Sequence, residues 1–237
     1  FSRVRPMLTP RFVPSCTVAL LAFRGRLSRE RKLPVQSHLS ENREEMALVR
    51  RLHPDCEQYW QVYDKYGLFH SQTVMAHCVH SDARERAALR ANGVLVAHAP
   101  DSNVNICSGF APVRTMLDEG MRVALGSDIA GGALLPMTQV ITAAIRTSKA
   151  RRIAAGNAEE FLTVAEAYYL GTSAGARFFG AGAGFAPGDA LHAIVVDEGA
   201  FPPACRALTL PERFERAIYL MQASDIVACF SGGRRVK

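Results

Sequence analysis

The chain has 237 residues, of which 49% are hydrophobic, so it can form one or two domains with a sizeable core. Its net charge of +6 comes from basic clusters that lie far apart in the sequence, which argues against a nucleic-acid-binding surface. No apolar run is long enough to cross a bilayer, and the N-terminal region lacks the apolar segment of a signal peptide. We therefore predict a cytoplasmic protein that binds neither nucleic acid nor membranes and whose dispersed cysteines are reduced.

Short apolar runs alternate with helical segments along most of the chain. The apolar runs end in polar residues and occupy residues 7–10, 35–38, 74–77, 94–98 and 123–128. Helical periodicity is found between them, at residues 16–31, 81–92 and 112–119. This alternation predicts parallel βαβ units, which occur both in doubly wound sheets and in (β/α)8 barrels.

Ionisable residues at the strand ends separate these two folds. His38, His77, His98 and Asp128 each stand at the carboxyl end of a predicted strand. In a barrel such ends converge on one mouth, where catalytic residues gather, whereas in an open sheet four such residues could hardly meet. We therefore predict an α/β fold that is a partial (β/α)8 TIM barrel, containing about strands 4 to 8.

The sequence changes character after residue 180. A glycine-rich run at residues 180–188 is followed by a predicted strand at 193–196, a helix near 212–220 and a last strand at 226–230. We predict that residues 1–180 form five βα units of the barrel. Residues 181–237 are predicted to be the remnant of a small, composite β-sandwich domain.

The segment from His38 to Glu41 carries the sharpest chemical signal. A histidine at a strand end can present a ring nitrogen to a metal, and Glu41 in the following loop can reach the same cavity. Metal-assisted hydrolysis needs this pairing of an activated water with a carboxylate that moves protons. Taken alone, the segment is better explained by a helix cap beside a buried histidine. The presence of His77 and Asp128 at two further strand ends reverses that preference.

Several short segments match a pattern known from one enzyme superfamily. They are Thr-Pro-Arg-Phe at residues 9–12, Gln-Ser-His-Leu-Ser-Glu-Asn at 36–42, Val-Met-Ala-His at 74–77, His-Ala-Pro-Asp-Ser-Asn at 98–103, Gly-Ser-Asp-Ile-Ala-Gly-Gly at 126–132 and Pro-Gly-Asp-Ala at 187–190. By these segments the chain resembles the amidohydrolase superfamily and, within it, the guanine deaminases. The resemblance implies zinc-dependent hydrolysis of guanine to xanthine and ammonia, and a homodimer for the complete enzyme.

The resemblance also implies a role for each matching residue. Glu41 would be the proton shuttle, His77 would position the attacking hydroxide, and Asp128 would accept the proton of the water. Zn²⁺ would be bound by His38 and Asp128. The residues implied in substrate binding are Arg11, Phe12, His38, Glu41 and Asp128. The guanidinium of Arg11 can donate two hydrogen bonds in a fixed geometry, which suits a planar ligand such as a purine.

One feature of the family pattern is missing. Members of this type carry an H-x-H pair of zinc ligands on the first barrel strand, and no H-x-H occurs in this sequence. We therefore expect an N-terminally truncated member that is inactive by itself, because His38 and Asp128 supply only two ligands. Two alternatives remain: a related aminohydrolase acting on another amino-heterocycle, and a non-catalytic binding protein on the same fold.

Overall fold

The computed structural model describes residues 4–181 and 184–237. Its larger sheet is parallel, with neighbouring strands in chain order. These strands are β1 (Val35–Leu39), β2 (Thr73–His77), β3 (Leu95–His98) and β4 (Arg122–Leu125). A second, antiparallel sheet contains β5 (Ala193–Val196), β6 (Ile226–Ser231) and β7 (Arg234–Arg235). The predicted α/β fold with a parallel sheet is confirmed.

Helices connect the parallel strands, as βαβ crossovers require. The described helices are, in chain order, α1 (Val18–Arg31), α2 (Arg43–Leu52), α3 (Tyr59–Lys65), α4 (Ala83–Ala91), α5 (Pro100–Asn105), α6 (Val113–Asp118), α7 (Met137–Ala154), α8 (Val164–Gly171), α9 (Ser173–Phe178) and α10 (Leu210–Leu220). Of these, α2 to α6 make the connections between the parallel strands. Asn42 caps α2, since its side chain accepts a hydrogen bond from the Glu45 N–H at 2.8 Å. None of the described helices is both long and apolar enough to cross a membrane.

The first predicted strand, at residues 7–10, is wrong. Among the described residues this segment contributes one parallel bridge, Leu8 to Val35, beside β1. Leu8 donates to Pro34 O at 2.8 Å and accepts from the Gln36 N–H at 2.9 Å. Pro10 has no N–H to donate, so the ladder cannot continue along the segment. The parallel sheet therefore has four described strands instead of five.

One face of the parallel sheet packs into the main core. Leu39, Met75, Val96 and Val123, one from each strand, are all buried there. The alternate residues of β1 and β2 are exposed or half-buried, so the opposite face of these two strands is less completely covered. In the C-terminal part, Ile218 of α10 packs into a second core cluster with residues of α7 and α8. The glycine-rich run predicted as the domain boundary includes residues 182 and 183, which lie outside the described residues.

Candidate active site

Three of the predicted site residues meet at the carboxyl ends of β1 and β2. Potential ligand atoms of His38, Glu41 and His77 all lie within 4.8 Å of one another. The rings of His38 and His77 stack with their centroids 5.0 Å apart, and Glu41 Oε1 lies 3.4 Å from His77 Nδ1. His77 is 1% exposed. The parallel register brings these side chains together, because Leu39 pairs with His77 across the two strands.

Hydrogen bonds orient both imidazole rings. His38 Nδ1 lies 2.5 Å from the carbonyl oxygen of Arg11, and His77 Nδ1 lies 2.8 Å from Asn103 Oδ1. The Arg11 carbonyl can only accept, so His38 Nδ1 carries a proton, and His77 Nδ1 donates likewise to Asn103 Oδ1 as the amide is placed. In the neutral rings Nε2 then keeps its lone pair. His77 Nε2 is buried and has no hydrogen-bond partner among the described residues. Imidazole nitrogens with a free lone pair and a nearby carboxylate are suitable ligands for Zn²⁺. The group of His38, Glu41 and His77 therefore fits this metal.

Arg11 and Phe12 lie beside this group. The Phe12 ring is 6.2 Å from the ring of His38, and the Arg11 guanidinium lies over the Phe12 ring at 5.8 Å from its centroid. Arg11 is exposed, so its donors are free to reach a ligand. Planar groups follow one another here: the exposed Arg11 guanidinium, the Phe12 ring and the stacked rings of His38 and His77. Such a row suits a flat heterocycle.

Asp128 lies apart from this group. It follows β4 in an exposed loop, and its carboxylate is not among the ligand atoms that lie within 4.8 Å of one another. Two bonds from α5 hold that loop: Asp101 Oδ2 accepts from the Ala133 N–H, and Asn105 Nδ2 donates to Gly131 O, each at 2.6 Å. The sequence predicts that Asp128 joins the other three residues, and the structure brings those three together without it.

His98, at the end of β3, is buried next to the site. Burial, with a smaller contribution from the charge of His77, lowers the pKa of His98 to about 3. Its ring therefore stays neutral near pH 7. We assign it no catalytic role.

Several residues at the strand ends have left-handed backbone conformations. The φ angles of Ser40, His77 and Asp128 are 47°, 73° and 45°. Residues other than glycine adopt this region rarely and at a cost of roughly 1–3 kcal/mol each, and such strain clusters at functional sites. Ser40 and His77 adjoin the ends of β1 and β2, and Asp128 lies in the loop after β4. These strained conformations therefore support a functional role for this end of the sheet.

Comparisons with known proteins identify the family of this chain. The amidohydrolase family profile matches residues 2–236. The chain belongs to the amidohydrolase family. A probable guanine deaminase from Schizosaccharomyces pombe is 34% identical over 240 residues, which cover 98% of this chain and 46% of that protein.

Solved structures of this family superpose well on the chain. A guanine deaminase from C. acetobutylicum with guanine bound in its active site is 42% identical, with a TM-score of 0.94 over 99% of this chain and 56% of that one. An adenosine deaminase from Xanthomonas campestris with bound zinc, at 21% identity and a TM-score of 0.83, shares the fold. The chain spans about half the length of these relatives.

The structure adds residues to which the sequence assigned no role. Asn103 fixes the tautomer of His77, and the amidohydrolase-like segment at residues 98–103 was the available signal for it. Glu45 is buried and accepts from the Glu41 N–H at 3.2 Å through Oε2. Glu85 accepts from Ser40 Oγ at 2.9 Å and from Ser81 Oγ at 2.5 Å, which joins the loops that follow β1 and β2.

The buried carboxyl of Glu85 predicts a pH-dependent stability. Burial raises its pKa to about 7, so the folded protein retains a proton that the unfolded chain releases near the ordinary value of 4.5. The free energy of unfolding should therefore fall as pH rises between these values, by at most about 3 kcal/mol. Glu85→Gln stays neutral and should be more stable than the wild type at about pH 8 but not at about pH 5. Urea unfolding at both pH values measures this, with exposed Glu30→Gln as the control.

Gly132 permits the close approach between the Asp128 loop and α5. A Cβ atom at this position would lie 2.8 Å from Asp101 Oδ2 and 3.0 Å from Ser102 N. We expect Gly132→Ala to lower the free energy of unfolding by about 1–3 kcal/mol, because the backbone must shift. Gly126→Ala is the matched control, since a Cβ atom there meets nothing within 4 Å. Equal thermal unfolding of the two variants would contradict the packing described for this loop.

Proposed function

We propose that the chain is part of a zinc-dependent guanine deaminase, which hydrolyses guanine to xanthine and ammonia. The observation that carries the proposal is the placement of Arg11 and Phe12 beside His38, Glu41 and His77. This arrangement puts groups suited to a planar base next to groups suited to metal-assisted hydrolysis. The similarity to the C. acetobutylicum guanine deaminase supports the same substrate.

Zinc would be held by His38 and Asp128, with further ligands from the H-x-H pair that the family pattern implies. The lone pair on His38 Nε2 and the unpaired Nε2 of buried His77 fit a metal at this position. When bound, Zn²⁺ lowers the pKa of a coordinated water towards about 7 and so supplies a nucleophile at neutral pH.

The protein side chains would move the protons. Asp128 accepts a proton from the attacking water, whose oxygen forms a bond to the guanine carbon that bears the amino group. Glu41, protonated at the start, would donate its proton to the adjacent ring nitrogen. Its carboxylate would then take the hydroxyl proton of the adduct and pass it to the amino group, so that the carbonyl forms as the carbon–nitrogen bond breaks and ammonia leaves. The proton held by Asp128 would return to Glu41 and restore both carboxyl groups. His77 lies 3.4 Å from Glu41 and would orient the reacting centre. Arg11 would donate hydrogen bonds to the base, and Phe12 would pack on its face.

The architecture of the complete enzyme is part of the proposal. Residues 1–180 would form about strands 4 to 8 of a (β/α)8 barrel, and residues 181–237 part of a β-sandwich. Relatives of about twice this length support the view that further strands complete the barrel. We also propose that the complete protein is a cytoplasmic homodimer.

The proposal is tested in a fusion, here called the completed enzyme. It joins the part of the S. pombe relative that precedes the matched region to the N-terminus of this chain. Ammonia release is measured with guanine, adenine, cytosine, a pterin and an aminotriazine. The proposal requires guanine to be the best substrate. Preference for the pterin or triazine would favour the related aminohydrolase, and no release from any of them would favour a non-catalytic protein.

A further inference from the structure

Two buried hydroxyl groups lie behind the candidate site. Ser37, in the middle of β1, is 4% exposed, and Tyr63, in α3, is fully buried. Ser37 Oγ and the Tyr63 hydroxyl oxygen are 2.7 Å apart. Neither residue has a role in the proposed chemistry, and neither belongs to the group of His38, Glu41 and His77. Because buried hydroxyls are normally hydrogen-bonded, the partners of these two hydroxyls indicate what they do.

The hydroxyl pair bonds the backbone of both site segments. Ser37 Oγ donates to Pro10 O at 2.6 Å and lies 3.2 Å from Arg11 O. The single proton of the Tyr63 hydroxyl faces two acceptors, Ser37 Oγ at 2.7 Å and His38 O at 2.8 Å. Arg11 O also accepts from His38 Nδ1, at 2.5 Å. The same carbonyl oxygen therefore links the hydroxyl pair to the ring of the proposed zinc ligand.

The pair continues into a buried network that reaches Glu41. The Tyr63 ring stacks on the Tyr59 ring with centroids 5.6 Å apart. The Tyr59 hydroxyl donates to Glu45 Oε1 at 2.6 Å, and Glu45 Oε2 accepts from the Glu41 N–H. Burial raises the pKa of both tyrosines, so their hydroxyls remain protonated donors. Contacts from α3 thus extend behind Arg11, His38 and Glu41.

We propose that Tyr63 is a positioning residue for the site. Its hydroxyl holds Ser37 Oγ and the His38 backbone in place, and Ser37 holds the backbone of residues 10 and 11. The Arg11 carbonyl positioned in this way keeps the proton on His38 Nδ1 and the lone pair on Nε2. The functional meaning of this effect rests on the proposed function, which makes His38 a zinc ligand and Arg11 a substrate contact. The orientation of the His38 ring itself does not depend on that assignment.

The test uses the 237-residue chain with ¹⁵N-labelled histidine rings and no metal. Ring ¹⁵N shifts report the tautomer of His38, and its signals are assigned by comparison with His38→Gln. In the wild type we expect the Nδ1–H form. Tyr63→Phe removes only the hydroxyl, and we expect it to lower the Nδ1–H to Nε2–H ratio by about 2- to 10-fold, as the loss of one hydrogen bond allows. Tyr66→Phe is the matched control, since its hydroxyl makes no hydrogen bond within the described residues.

A second readout is the Zn²⁺ affinity of the completed enzyme, measured by competition with a chromogenic chelator. Tyr63→Phe and Ser37→Ala should each raise the Kd by about 2- to 10-fold. The double variant should add little to the larger single effect, because both residues act through one chain of bonds. Ser37→Ala also provides the tautomer measurement if Tyr63→Phe fails to fold.

The outcomes separate this proposal from the proposed function. Tautomer ratios in Tyr63→Phe and Ser37→Ala that match Tyr66→Phe would overturn the positioning role, whether or not zinc binds. A changed ratio in a protein whose completed enzyme does not deaminate guanine would support the positioning role and refute the function. Additive effects of the two substitutions on Zn²⁺ affinity would contradict a shared pathway.

Discussion

Replacement of Glu41 by glutamine in the completed enzyme is expected to lower kcat for guanine by about 10²- to 10⁴-fold while zinc is retained. Glutamine keeps the size and the acceptor oxygen of the side chain but cannot transfer a proton to the ring nitrogen. The Glu41 carboxylate lies 3.4 Å from His77 Nδ1, within the group of residues to which we assign the reaction. Turnover from ammonia release and zinc content from metal analysis measure the two halves of the prediction.

Glu44→Gln is the matched control for this substitution. Glu44 is exposed in the first turn of α2, three residues beyond Glu41, and its change should leave turnover and zinc content as in the wild type. Near-normal turnover of Glu41→Gln would exclude Glu41 as the proton shuttle. Loss of zinc with Glu41→Gln would instead identify Glu41 as a metal ligand, which its place in the group with His38 and His77 also allows.

Replacement of His38 by alanine should abolish stoichiometric zinc and, with it, guanine turnover. Removal of a residue that only supports a ligand costs about 10- to 100-fold in metal affinity, so removal of a ligand should cost at least about 100-fold. The Kd for Zn²⁺ in the completed enzyme measures the effect. His192→Ala is the control, because His192 is exposed in the C-terminal part of the chain and lies outside the group of His38, Glu41 and His77. An unchanged zinc content in His38→Ala would remove His38 from the ligand set.

The sequence predicted the strands that carry the site because their apolar runs are bounded by polar residues. β2 ends at His77 and β3 at His98, as the pattern indicated. The strands predicted at 193–196 and 226–230 are confirmed as β5 and β6. The segment at 7–10 has the same apolar character but contains Pro10. The apolar pattern does not show that the missing N–H of this proline ends the hydrogen bonding to β1.

The candidate site was predictable in its chemical groups but not in its supporting contacts. His38, Glu41 and His77 lie at strand ends, so the fold alone brings them to one edge. Tyr63 lies 25 residues from His38 in sequence, in a helix that the sequence analysis did not predict. Whether its hydroxyl has a partner depends on tertiary packing, which periodicity cannot report. The placement of Asp128 likewise depends on loop contacts with α5.

The central claim is that this chain carries one part of a guanine deaminase site, which further ligands complete. The most direct measurement compares guanine-dependent ammonia release by the 237-residue chain and by the completed enzyme, at equal concentration and with equal Zn²⁺. We expect the completed enzyme to bind one zinc per chain and to release ammonia, and the chain alone to do neither, because a catalytic zinc needs about three protein ligands. Turnover by the chain alone, with stoichiometric zinc, would contradict the account, as would a folded, zinc-loaded completed enzyme that leaves guanine unchanged.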